Sequence, residues 1–275
     1  HSPRRHPGRE SSDIYELKAR GSTHVNAVKD LLKSGKTIIG TAGSPHPEVT
    51  AVLADAGYDF LLFDTQHSPH YMKDLAPGIQ ATNGKKAAPF ARVDSISSEQ
   101  ILFALDAGAR GIIVPMVNTR AEAEYIVESC RYYPAGKRSN GGVRGEWGQG
   151  DDYQEYMDTV NRDLVIIPMI ETNEAIGNID DILSVDGIDV ALIGPSDYSI
   201  ELGVTLDYTS AEYEAGLDRL AEAAKRNNVV PGMYFIPPGM DPNWFVAKGF
   251  KMFTIPWATA ATEGIQNTLN GINRD

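Results

Sequence analysis

The chain has 275 residues, 42% hydrophobic and 23% charged, which suits either one α/β barrel or two small domains around a large core. Its formal net charge of -12 repels phosphate backbones and anionic lipid, which argues against nucleic acid and membranes as partners. The single cysteine, Cys130, excludes an internal disulfide framework and any zinc site built from several thiolates, and it suits a reducing, cytoplasmic compartment.

In chain order, residues 1–22 open with HSPRRHPGRESSD, basic residues with Pro and Gly but no apolar core. The segment reads as a mobile arm, neither a secretory signal nor a membrane span. Solvation accounts for its charges, with contact to a neighbouring subunit as the competing reading. Residues 23–275 read as one domain. THVNAVKDLLKSG predicts a helix closing the bottom of a barrel. Beyond it four segments share a grammar: ADAGYDFLLFDT, LDAGARGIIVPM, SVDGIDVALIGP and VAKGFKMFTIPW. Each ends a helical pattern on Gly (Gly57, Gly108, Gly187, Gly249), where a helix needs a left-handed residue, and then runs into an apolar strand.

Apolar runs without alternation indicate strands covered on both faces, as in a parallel sheet with helices outside. Strands are expected over 37–41, 60–64, 88–93, 111–117, 164–170, 189–193, 230–236 and 252–255, with helical patterns between them. That number closes a (β/α)8 TIM barrel. The longest interruption, PAGKRSNGGVRGEWGQGDDYQEYMDTVNRD, reads as an elaborated loop, Gly-rich and then helical.

Active sites of such barrels gather at the C-terminal strand ends. Polar residues there are Ser44 near His46, then Asp64, Gln66 and His67, then Arg92 with Asp94, Asn118, Glu171, and Ser196 with Asp197. Glu171 ends VIIPMI and Asp197 follows VALIGPS. Consecutive parallel strands lie about 4.8 Å apart, so both carboxylates can reach one point, where a divalent cation would relieve their repulsion. Oxygen ligands suit Mg2+ or Mn2+ better than zinc; helix capping is the competing reading for each residue. Arg92 offers a permanent charge and a donor fork to a carboxylate or an enolate oxygen, or else a structural ion pair to Asp64 or Asp94. His67 is a candidate proton carrier or an ordinary loop histidine. GPSDYS opens a short helix with an anion seat at Ser196 and Asp197, or is simply a turn. No strand ends in lysine, Lys251 standing at the start of its strand, which disfavours Schiff-base chemistry. The loops after the last two strands, PPGMDP and PWATAA, lack a Gly-rich phosphate cradle, so small free acids fit better than phosphorylated substrates.

FLLFDTQHSP, FARVD, DAGARGIIVPMVNTRAEAE, RYYPAGKRS and IPMIETNEAIGNIDDILSVDGIDVALIGPSDYS together resemble the class II, metal-dependent 4-hydroxy-2-oxoheptanedioate aldolase family of pyruvate aldolases, from about residue 25 to the end of the barrel. The resemblance implies a lyase with Glu171 and Asp197 as ligands of Mg2+ (or Mn2+ or another divalent cation) and no organic cofactor. It makes Arg92 the residue that stabilises an enolate oxygen, His67 the acid/base and Asp64 its support, with Ser196 and the Asp197 amide seating the substrate carboxylate. It also implies a homo-hexamer. Gln66 departs from the family's usual Glu, Met169 from its usual Gln, and Pro256 and Trp257 make an apolar, aromatic end to the last strand. These departures favour a branch of the family that decarboxylates oxaloacetate to a pyruvate enolate and adds it to a flat 2-pyrone to form a benzoate, Gln66 and Trp257 facing that second substrate. A Trp257 that merely packs is the competing reading. The rivals are an aldolase that makes or cleaves 4-hydroxy-2-keto acids through the same enolate, and a barrel that only binds ligands.

Overall fold

Eight apolar runs become eight short parallel strands that pair in chain order and close, β1 against β8. They are β1 Ile38–Ala42, β2 Phe60–Asp64, β3 Ala88–Arg92, β4 Gly111–Val114, β5 Val165–Ile170, β6 Val190–Ile193, β7 Val230–Met233 and β8 Met252–Thr254. The structure is a computed structural model that describes residues 26–142, 147 and 152–273; the expected N-terminal arm lies outside them. Around the barrel run α1 Ala27–Lys33, α2 Pro47–Asp55, α3 Met72–Gln80, α4 Ser98–Ala107, α5 Arg120–Cys130, α6 Tyr153–Asp163, α7 Asn173–Gly177, α8 Ile179–Leu183, α9 Pro195–Glu201, α10 Ala211–Asn227, α11 Pro242–Ala247 and α12 Trp257–Asn270.

The helix-ending glycines do what their positions require: Gly57, Gly108, Gly187 and Gly249 have φ of 123, 114, 105 and 102°, a region that strains any residue carrying a Cβ. Two strands end three residues sooner than expected. β4 stops at Val114 because Met116 takes φ 56°, and β7 stops at Met233 short of the Pro237–Pro238 pair. The pattern NEAIGNIDDILSVDG forms two helices instead of one. Gly177 and Asn178 are poor helix formers, and the Asn178 side chain donates from Nδ2 to the Asn118 carbonyl at 2.9 Å, tying the break to the loop after β4.

Alternation along each strand sorts the core into two shells. Phe60, Leu62, Phe90, Ile113, Ile167, Met169, Val190, Leu192 and Met252 fill the interior, while the opposite faces pack under the helices. Phe60 and Phe90 stack with ring centroids 4.9 Å apart. Gly40 and Gly111 make room for them, since a Cβ there would lie 2.2 Å from Phe60 and 2.5 Å from Phe90. Helix α1 adds Val28 and Leu32 to this interior and is pinned at the N-terminal end. Buried Lys29 donates to the Leu164 carbonyl and to Asp189, each at 2.7 Å, and Asn26 reaches the carbonyls of Arg110 and Asp163. The opposite end of the plug is where the strand-terminal polar residues stand.

Candidate active site

The inward parity of the strands places the polar set on the plug. Two residues beyond Leu62 stands Asp64, and two beyond Phe90 stands Arg92. Glu171 follows Met169 in the same way, and Gly194 follows Leu192. Asp64 and Arg92 are register partners. Their side chains form a two-pronged ion pair, Arg92 donating from Nε to Oδ1 at 2.8 Å and from Nη2 to Oδ2 at 2.6 Å. Burial works against both charges. The Arg92 hydrogen bonds nevertheless hold the Asp64 carboxyl below its ordinary value, and Asp64, with Glu171 behind it, holds the guanidinium above its own.

Glu171 is 2% exposed and accepts the Met116 backbone N–H through Oε2 at 2.8 Å. Burial raises its pKa; the Asp197 charge adds to the rise, while the Met116 amide and Arg92 oppose it. Asp197 differs from the expected strand-end position. It stands four residues beyond Ile193, in the first turn of α9, and the residue across from Glu171 is Gly194. That glycine is required, because a Cβ would fall 2.2 Å from Glu171 Oε1. The pair is thus a buried carboxylate faced by an exposed one on a helix start. An oxygen-only set of this kind, one oxygen already oriented by a backbone amide, fits a hard divalent cation that takes its remaining ligands from substrate and water. Among the described residues no group of three or more His, Cys, Asp or Glu gathers.

The other expected residues fall as follows. His67 is exposed on the loop after β2; the Asp64 carboxylate accepts the backbone N–H groups of Gln66 and His67, and among the described contacts none joins it to the imidazole. Gln66 has a buried Oε1 with no hydrogen-bond partner. Ser196 Oγ lies 3.3 Å from the Tyr208 hydroxyl, so the start of α9 is braced from the loop that follows that helix. Trp257 is half-buried at the first position of α12, packs against the outer core, and donates its backbone N–H to Thr41 Oγ1 at 3.1 Å. The Met116 amide and the Tyr234 ring, whose centroid lies 4.2 Å from Arg92 Cζ, were not expected. Gly194 was legible as a glycine directly after an apolar strand. Nothing in VPMVN marks the turned backbone at Met116, and GMYFIPP hides Tyr234 in a continuing apolar run.

A family model described as HpcH/HpaI aldolase/citrate lyase matches residues 42–259. The chain belongs to that family. This HpcH/HpaI member is 41% identical over 214 residues to the hydroxypyruvate/pyruvate aldolase of Rhizorhabdus wittichii, covering 77% of this chain and 82% of the relative. It is 31% identical over 256 residues to the 4-hydroxy-2-oxo-heptane-1,7-dioate aldolase of Salmonella typhimurium, covering 90% and 97%. The solved structure of macrophomate synthase matches with a TM-score of 0.73 at 26% identity, covering 90% of this chain and 89% of that one. The family resemblance read from the motifs therefore holds, and the protein is an enzyme of the pyruvate aldolase type. No described helix is long and apolar enough to cross a membrane.

Proposed function

We propose that the enzyme decarboxylates oxaloacetate to the enolate of pyruvate and joins it to a 2-pyrone through two carbon–carbon bonds, the adduct then losing a second CO2 and water to give a benzoate. The observation that carries the enolate step is the convergence of Arg92 and Glu171 on the polar rim of one apolar plug. Glu171 and Asp197 would hold Mg2+, or Mn2+ or another divalent cation, which supplies a sink for the electrons left when CO2 departs. Ser196 and the Asp197 amide would seat the substrate carboxylate. Arg92, locked by Asp64, would turn its free N–H groups on the ketone oxygen as negative charge develops there. His67, exposed at the mouth, would move protons, with Asp64 setting the backbone of its loop through the amides of Gln66 and His67. Gln66 and Trp257 would line the acceptor side. The 2-pyrone is favoured by Met169, where the resemblance implies Gln, and by the apolar, aromatic end that Trp257 gives the last strand.

The second reading is an aldolase that joins pyruvate enolate to an aldehyde. The 41% identity to a hydroxypyruvate/pyruvate aldolase favours it. Incubation with oxaloacetate, MgCl2 and a 2-pyrone, against pyruvate, MgCl2 and a short aldehyde, separates the two. Benzoate formed with release of CO2 supports the first; aldol turnover without oxaloacetate decarboxylation supports the second.

A homo-hexamer in the cytoplasm completes the proposal. Its support is α12, which has no buried residue and leaves Ile265 and Leu269 exposed, with Ile272 exposed just beyond its end, a surface that another copy would cover. Sedimentation at the mass of six chains is the expected result.

A further inference from the structure

Arg92 has five N–H donors, and Asp64 takes one from Nε and one from Nη2. That contact fixes the two groups edge to edge but leaves the pair free to tilt about its long axis. The next neighbour is Met169, whose Sδ lies 3.9 Å from Nη1; a thioether is a weak acceptor and does not hold a tilt. The Tyr234 ring does. Its face lies under the guanidinium, with Cζ 4.2 Å from the centroid, and it packs against the interior cluster of the barrel. A cation over an aromatic face is attracted by the ring quadrupole, most strongly where water is excluded, and Arg92 is only 4% exposed.

We propose that Tyr234 is a positioning residue: its ring holds the plane of the Arg92 guanidinium so that the donors not taken by Asp64 stay aimed at the reacting ketone oxygen. The inference rests on the enolate reaction proposed above. The phenol stays neutral throughout, because burial pushes it up to about 12 against the lowering by Arg92, with Asp64 and Glu171 adding to the rise. The ring therefore does not compete with Asp64 as an anion. It is the face and not the hydroxyl that carries the role.

The test compares Tyr234→Phe with Tyr234→Leu, Tyr234→Met replacing the latter if it does not fold. Tyr234→Leu is expected to lower kcat for oxaloacetate decarboxylation about tenfold with little change in KM, and Tyr234→Phe to stay within about threefold of the parent. A second readout needs no substrate or metal. In urea unfolding, a double-mutant cycle of Tyr234→Leu with Arg92→Gln is expected to show a coupling of about fivefold in the unfolding constant. Additive effects on unfolding overturn the inference whatever the rates. So does a Tyr234→Phe variant that falls as far as Tyr234→Leu. If the coupling is present but the parent protein does not turn over oxaloacetate, the reaction assignment fails and the pairing stands.

Discussion

Asp64 and Arg92 stand opposite one another in the register of β2 and β3, and their side chains close into a two-pronged ion pair. One consequence is energetic. Removing the carboxylate in Asp64→Ala leaves a buried guanidinium uncompensated, at a cost of about 3 kcal/mol in urea unfolding near neutral pH. The sign with pH follows from Asp64's depressed pKa: the stabilisation is present above the ordinary value of 3.8 and is lost as pH falls through the lower folded value. The gap between parent and variant should close in strong acid. A gap that persists there means that the ion pair is not its source.

Glu171 has the opposite sign. Its folded pKa is raised, so ionising it costs stability as pH rises above the ordinary 4.5, and the cost is complete above the folded value. In metal-free protein, Glu171→Gln should therefore raise Tm at pH 7.5 by roughly 2–4 °C, about 1 kcal/mol. The gain should vanish below that ordinary value. MgCl2 should raise the parent's Tm and leave the variant's unchanged; differential scanning calorimetry reads both.

Gly194 gives a steric test of the same carboxylate. Its φ of -93° suits alanine, so Gly194→Ala adds no backbone strain, only a Cβ where Glu171 Oε1 now lies. The expected outcome is a folded protein whose affinity for Mn2+ falls about 10–100-fold by calorimetric titration. Undiminished affinity means that Glu171 does not hold the ion.

Trp257→Ala tests the acceptor side. If the indole supports the flat pyrone, the ratio of benzoate formed to CO2 released should fall about tenfold, measured by chromatography. An unchanged ratio leaves Trp257 as packing for α12 alone.

Most of the architecture was legible in the sequence because its signals are local. Gly57, Gly108, Gly187 and Gly249 announce helix ends, and unbroken apolar runs announce strands buried on two faces. Asp64, Arg92 and Glu171 were legible as candidates because a charge that closes an apolar strand must stand at the barrel rim, where the strand leaves the core. The placement of Asp197 was less so. Its distance from Glu171 depends on whether the intervening residues continue the strand or begin a helix, and Gly194 and Pro195 begin one. The Met116 amide was invisible, since a backbone donor has no residue type. Tyr234 was invisible for a related reason: its partner is Arg92, 142 positions away, and only closure of the barrel brings the two together.

The most direct measurement is exchange of the pyruvate methyl protons with D2O, followed by NMR, because it reports the enolate without any acceptor. With MgCl2 present, the protein should speed exchange far above buffer, and EDTA or Arg92→Gln should each abolish the gain. Exchange at the buffer rate, or exchange that EDTA leaves unchanged, contradicts the assignment.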